Sequence, residues 1–115
     1  MWLRWLRMRL LRSLGVMMSD VDRLTEFFYL IADYLFYDAT KFKNRVNIYN
    51  SAGDCLATIY IGSFDPDDIV IYDGCVNGSI ECINVMRCYI DLFRMVCDLH
   101  RRPEDVIKRL VDLNV

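Results

Sequence analysis

The stretch that decides the fold is residues 79–102, which reads SIECINVMRCYIDLFRMVCDLHRR. Its apolar residues recur every three or four positions in two adjacent stripes: Ile83, Met86, Ile90, Phe93, Cys97 and His100 in one, and Cys82, Val85, Tyr89, Leu92, Val96 and Leu99 in the other. This spacing predicts an α-helix with an apolar face wider than a coiled-coil seam. The remaining face bears opposite charges three and four residues apart. Such a helix must be covered on more than one side.

The flanking sequence predicts the elements that cover it. Ser19, with Asp22 three residues on, is an N-cap pattern for a helix that ends near Tyr37. Residues 41–45 are predicted to be a basic connector. Apolar alternation predicts strands over 45–50 and 55–61, joined by turn residues, and a third strand over 69–72. Pro103 marks the start of a last helix. We therefore predict an α+β fold in which a three-stranded antiparallel sheet packs on the long helix, in the order α-β-β-β-α-α.

Length and composition favour one domain, over residues 18–115, preceded by a distinct extension over residues 1–17. No apolar run reaches the roughly 20 residues of a membrane-spanning helix. Five cysteines are an odd count, and three of them fall on the central helix. Reduced thiols in the core are therefore favoured over disulfides, which predicts a cytoplasmic location.

The extension is basic, rich in tryptophan and free of acidic residues. One interpretation is an anchor to the inner face of a membrane, made by Trp2, Arg4, Trp5, Arg7, Arg9 and Arg12. A transit peptide, which is also rich in arginine, is another. The third is a mis-assigned start, because codons for residues 14–18 can spell a bacterial ribosome-binding site ahead of Met17 or Met18. Such a start and the small size favour a phage or mobile-element gene.

Catalysis is not expected from this sequence. The one histidine, His100, ends an apolar stripe, and no motif sets a nucleophile beside it. Cys97 and His100 are spaced to reach one metal ion, but no second pair of ligands completes a zinc site. We predict no enzyme activity, no cofactor and no metal.

Charge is distributed unevenly along the body of the chain. Residues 46–86 contain six acidic residues and no lysine or arginine. A nucleic-acid-binding domain would show a basic surface instead, so nucleic acid is not the expected partner. We predict that an acidic, tyrosine-bearing surface binds a partner protein that has a basic surface, through Asp65, Asp67, Asp68, Asp73, Tyr49, Tyr60 and Tyr72. The alternative is that the acids are merely solvated and the tyrosines lie in the core. Because the apolar face of the central helix is broad, we also expect a homodimer as one form of such an interaction protein.

Overall fold

The computed structural model describes residues 18–73 and 80–113. The elements in this part of the chain follow the order α1 (Asp20–Tyr34), β1 (Asp38–Phe42), β2 (Arg45–Tyr49), β3 (Cys55–Ile61), a 3-10 helix (Pro66–Asp68), β4 (Ile69–Asp73), α2 (Ile80–Leu99) and α3 (Pro103–Leu113). An α+β fold with an antiparallel sheet is confirmed. Ser79, the first residue of the stretch that predicts the central helix, lies outside the described residues, as do residues 74–78 and the 1–17 extension.

Strand β1 shows that the predicted three-stranded sheet was wrong. The sheet has four strands in the order β1-β2-β3-β4, each antiparallel to its neighbour. β1 takes up part of the segment that we predicted to be a basic connector, so the element order is α-β-β-β-β-α-α. Its sequence, DATKF, has one β-branched residue, and four of its five side chains are exposed. Backbone pairing with β2, rather than an apolar pattern, makes this segment a strand.

Helix α1 begins as predicted and ends three residues earlier. The Ser19 side chain accepts a hydrogen bond from the Asp22 backbone N–H at 3.1 Å. At the other end, the N–H of Phe36 donates to Asp33 O and that of Tyr37 to Ala32 O, at 3.1 and 3.0 Å. These two bonds form a Schellman motif, in which Phe36 takes the left-handed conformation with φ 66°. The chain therefore turns away before the predicted end and enters β1.

The helices cover one face of the sheet. Helix α1 packs on β1 and β2, α2 packs on β3, β4 and the 3-10 helix, and α3 packs against both other helices. The buried side chains of all three helices join those of the sheet in one core, whose largest members include Phe27, Phe28 and Phe93. Phe93 also meets the Phe64 ring edge to face, with 5.1 Å between ring centroids. None of the helices in the described part of the chain is long and apolar enough to cross a membrane.

Strand register defines what each face of the sheet presents. Val46, Ile48, Ala57, Ile59 and Ile61 are fully buried on the helix-covered face. The alternate residues of β2 and β3 are half-buried or exposed, with one exception. The exception is Leu56, which is 7% exposed and lies at a register shift between β2 and β3. The hairpin prediction for β2 and β3 is confirmed, and its turn places Gly53 at φ 89°, which favours glycine.

Candidate functional site

The outer face of the sheet, opposite the helices, bears the three predicted tyrosines. The register sets Tyr60 beside Arg45 and Val70, and Tyr72 beside Thr58. Tyr49 and Tyr60 are half-buried and Tyr72 is 56% exposed. Tyr49 and Tyr72 lie toward the end of the sheet where β1 begins, whereas Tyr60 lies toward the other end. The structure thus places all three on one face but divides them between its two ends.

The acidic loop Asp65–Asp68 lies at the opposite end of the sheet from Asp73, and its side chains bond within the chain. The Asp65 carboxylate accepts a hydrogen bond from the Asp67 N–H at 2.8 Å, which caps the 3-10 helix. Asp67 pairs with Arg94 of α2 at 2.7 Å. The Asp68 carboxylate accepts a hydrogen bond from the Ser63 hydroxyl. Asp65 and Asp68 therefore bond within the loop, Asp67 joins the loop to α2, and none of the three lies beside Tyr72 and Asp73.

A different set of carboxylates lies at the end of the molecule where α1 ends, β1 begins and α2 begins. We call this set the acidic end: Asp33, Asp38, Asp54, Asp73 and Glu81, all of them exposed. Register places the strand members at this same end of the sheet, because Asp38 pairs with Tyr49, Tyr49 pairs with Cys55 next to Asp54, and Asp73 pairs with Ala57. None of the salt bridges between described residues involves these five carboxylates.

Tyr37 links the two helices that meet at the acidic end. Its side chain forms a hydrogen bond with that of Cys82, and its pKa is raised by burial and then by the nearby Cys82 and Glu81. The pKa of the Cys82 thiol is raised as well, chiefly by burial, although the bond from Tyr37 opposes that shift. Glu81 on α2 therefore lies close to the start of β1, and Cys82 is a neutral core thiol rather than a reactive thiolate.

Exposed apolar side chains accompany these carboxylates. Phe36, next to Tyr37, is 96% exposed, and Ile80, beside Glu81, is 75% exposed. Tyr72 is exposed on the outer face of the sheet, whereas Asp73, the next residue, pairs with Ala57 and lies toward the helix-covered face. Because these large apolar side chains remain in solvent, folding buries little of their apolar area. Aromatic residues are common anchors at protein interfaces. The acidic end thus combines negative charge with apolar groups that the rest of the described chain leaves exposed.

The other end of the sheet is basic on its β1–β2 hairpin. Lys43 lies at the turn, with its Nζ 5.4 Å from the centroid of the exposed Phe42 ring. Lys41 pairs with the buried Glu26, and its Nζ lies 5.4 Å from the Tyr29 ring centroid. Met18 lines a shallow cavity of about 290 Å³ with Lys41, Phe42 and Lys43. The junction with the 1–17 extension is therefore at the end of the molecule that bears this basic hairpin.

Cys97 and His100, the pair whose spacing could reach one metal ion, lie at the end of α2 and just beyond it. His100 is half-buried just beyond α2, and burial raises the pKa of the Cys97 thiol one turn before it. No group of three or more His, Cys, Asp or Glu residues is arranged to hold a metal ion among residues 18–73 and 80–113. The acidic end is consequently the strongest candidate site that the geometry offers.

Sequence reasoning found part of this site. Asp54, Asp73 and Glu81 lie in the basic-free window, and Tyr49 and Tyr72 were predicted to face outward. Asp33, Phe36 and Asp38 were missed because they become neighbours of the window only through the pairing of β1 with β2. No protein-family model matches this chain, and no curated protein or solved structure shows significant similarity to it.

Proposed function

We propose that this chain is a non-enzymatic interaction domain that binds a basic segment of a partner protein at its acidic end. The observation that supports this most strongly is that five exposed carboxylates lie at one end of the molecule and have no lysine or arginine partner among the described residues. Like charges gathered at one end oppose folding by mutual repulsion, and a basic partner would relieve that repulsion. The four described free thiols support a reducing compartment, so we place the complex in the cytoplasm.

The helix termini add to the negative potential there. Asp33 lies in the last turn of α1, which holds no basic residue, so its carboxylate and the negative end of the helix dipole reinforce each other. A lysine or arginine of a partner would bind favourably to both. Because the carboxylates are exposed and the Debye length is about 8 Å at physiological ionic strength, association should be fastest at low salt.

Phe36 gives this surface an apolar anchor. Glycine is the usual residue at the left-handed position of a Schellman motif, because it has no Cβ to clash there. Phe36 occupies that position with its ring almost fully in solvent, and the fold gains nothing visible from it. A partner that covers the ring would gain the apolar area that the domain itself leaves exposed.

The test compares two charge-reversed variants of the tagged full chain in affinity capture from native lysate. The acidic-end variant is Asp38→Lys, Asp54→Lys and Glu81→Lys, and the matched control is Asp65→Lys and Asp68→Lys at the opposite end. We expect a salt-sensitive, stoichiometric protein partner to be retained by the wild type and by the control, and lost by the acidic-end variant. If the control loses the partner and the acidic-end variant retains it, partner binding belongs to the loop acids Asp65 and Asp68 instead.

Attachment to an anionic membrane is the second candidate, and the position of Met18 favours it. Residues 1–17 join the domain beside Lys41, Lys43 and the exposed Phe42, so basic and aromatic groups of the extension and of the hairpin would lie at the same end of the protein. Co-sedimentation with phosphatidylserine-containing vesicles tests it. We expect binding that weakens with Lys43→Glu and is abolished by deletion of residues 1–16; absence of any binding by the full chain removes this candidate.

A further inference from the structure

Among the described residues, strand β4 lies at an edge of the sheet, and Asp73 at its last position is its one charged side chain. Its sequence, IVIYD, is rich in β-branched residues and has no lysine or proline, and its pairing with β3 has no bulge. Soluble proteins ordinarily protect such an edge by one of these devices, because free N–H and C=O groups invite another strand. The other edge strand, β1, carries Lys41 instead.

Hydrogen bonds at the end of β3 show which β4 groups face outward. The N–H of Ile61 donates to Asn44 O on the β2 side, and the N–H of Gly62 donates to Asp68 O on the β4 side. Backbone groups alternate in direction along an antiparallel strand, so Val70 and Tyr72 bond to β3. The backbone groups of Ile69, Ile71 and Asp73 therefore point away from the sheet, toward the free edge.

A groove runs between this free edge and α2. Its volume is about 330 Å³, and Ile69, Ile71 and Ile90 contribute apolar surface to it. Arg87 and Arg94 of α2 also line it. A strand added at the β4 edge would cover the apolar surface, and an acidic residue on that strand would lie near the arginines.

We propose that β4 pairs antiparallel with β4 of a second copy of this chain, about a two-fold axis through Ile71, so that the two sheets form one of eight strands. This register sets Val70 against the partner's Tyr72 and Ile69 against the partner's Asp73. That aspartate then lies near the groove arginines, Arg87 and Arg94. A self-complementary patch of this kind is what two-fold symmetry requires. This interface shares Tyr72 and Asp73 with the acidic end, but the substitutions that test partner binding leave β4 unchanged, so the two proposals can fail separately.

Sedimentation of the full chain over a range of concentrations gives the first test, with Ile71→Pro as the variant. Proline at this outward position removes an N–H that β3 does not use, so we expect a folded monomer where the wild type is a reversible dimer. Ala39→Pro is the matched control, because register places its N–H outward at the β1 edge, and it should still dimerise. A wild type that is monomeric up to millimolar concentration, or a folded Ile71→Pro dimer, overturns the proposal.

Charge reversal at Asp73 provides a second test if Ile71→Pro fails to fold. Asp73→Arg sets a positive charge of each copy beside the groove arginines of the other, so dimerisation should weaken about tenfold. An Asp73→Arg variant that dimerises like the wild type overturns the proposed register.

Discussion

Replacing Phe36 with glycine should stabilise the fold while it weakens partner binding. A residue with a Cβ in the left-handed conformation costs about 1–2 kcal/mol. Glycine removes that cost but loses more backbone entropy on folding, about 0.5–1 kcal/mol. The Phe36 ring is 96% exposed, so removing it forfeits little buried apolar area. The net expectation is a gain of about 1 kcal/mol in the free energy of unfolding, or about 4 °C in Tm.

Urea unfolding of the full chain, followed by circular dichroism, measures this difference. Phe36→Ala is the control, because it removes the ring but keeps the left-handed strain, and its stability should lie within about 0.5 kcal/mol of the wild type. Both variants should bind the captured partner more weakly than the wild type does. A glycine variant less stable than the wild type by more than about 1 kcal/mol would refute the reasoning, since the ring would then be contributing to the fold.

Three further predictions concern the core, a buried ion pair and pH. Phe93→Ala should lower the free energy of unfolding by about 3–5 kcal/mol, whereas Met95→Ala on the exposed side of α2 should change it by no more than about 0.5 kcal/mol. Similar losses in the two variants would contradict the placement of Phe93 in the core. Lys41→Met should destabilise the fold by about 2 kcal/mol, because Glu26 is only 8% exposed and its carboxylate loses the lysine that pairs with it. Adding Glu26→Gln to this variant should recover part of the lost stability. No recovery would show that the unpaired carboxylate is not the cause. Burial raises the pKa of the Cys82 thiol above 9.0, so in alkaline solution the thiol ionises in the unfolded chain before it does in the folded one. Stability should therefore be level below pH 8 and fall as the pH rises past 9, which a series of Tm measurements at pH 7–10.5 checks. An equal fall in the Cys82→Ala variant would show that another group causes the effect.

Local periodicity predicted the elements whose side chains meet the core. The alternation of Val46 and Ile48 with polar residues predicted β2, and the three-and-four spacing around Met86 predicted α2. Strand β1 has no such alternation, because most of its side chains face solvent and its stability comes from backbone pairing at an edge. The strand propensities of single residues do not indicate which segments pair through their backbones.

The candidate site was only partly predictable for a related reason. Composition revealed a window without basic residues, but the strand directions decide which acids meet. Antiparallel pairing places Asp73 at one end of the sheet and the Asp65–Asp68 loop at the other, although they are close in sequence. The ion pair between Asp67 and Arg94 joins residues 27 positions apart, which no local pattern signals.

Binding at the acidic end is tested most directly by titrating the isotope-labelled full chain with a short lysine- and arginine-rich peptide and following backbone amide shifts by NMR. The account predicts the largest, salt-sensitive shifts at residues 33–38, at Asp54, and around Asp73 and Glu81, with little change at residues 63–68. Shifts concentrated at residues 63–68 and Arg94, or no salt-sensitive shifts at the acidic end, would contradict it.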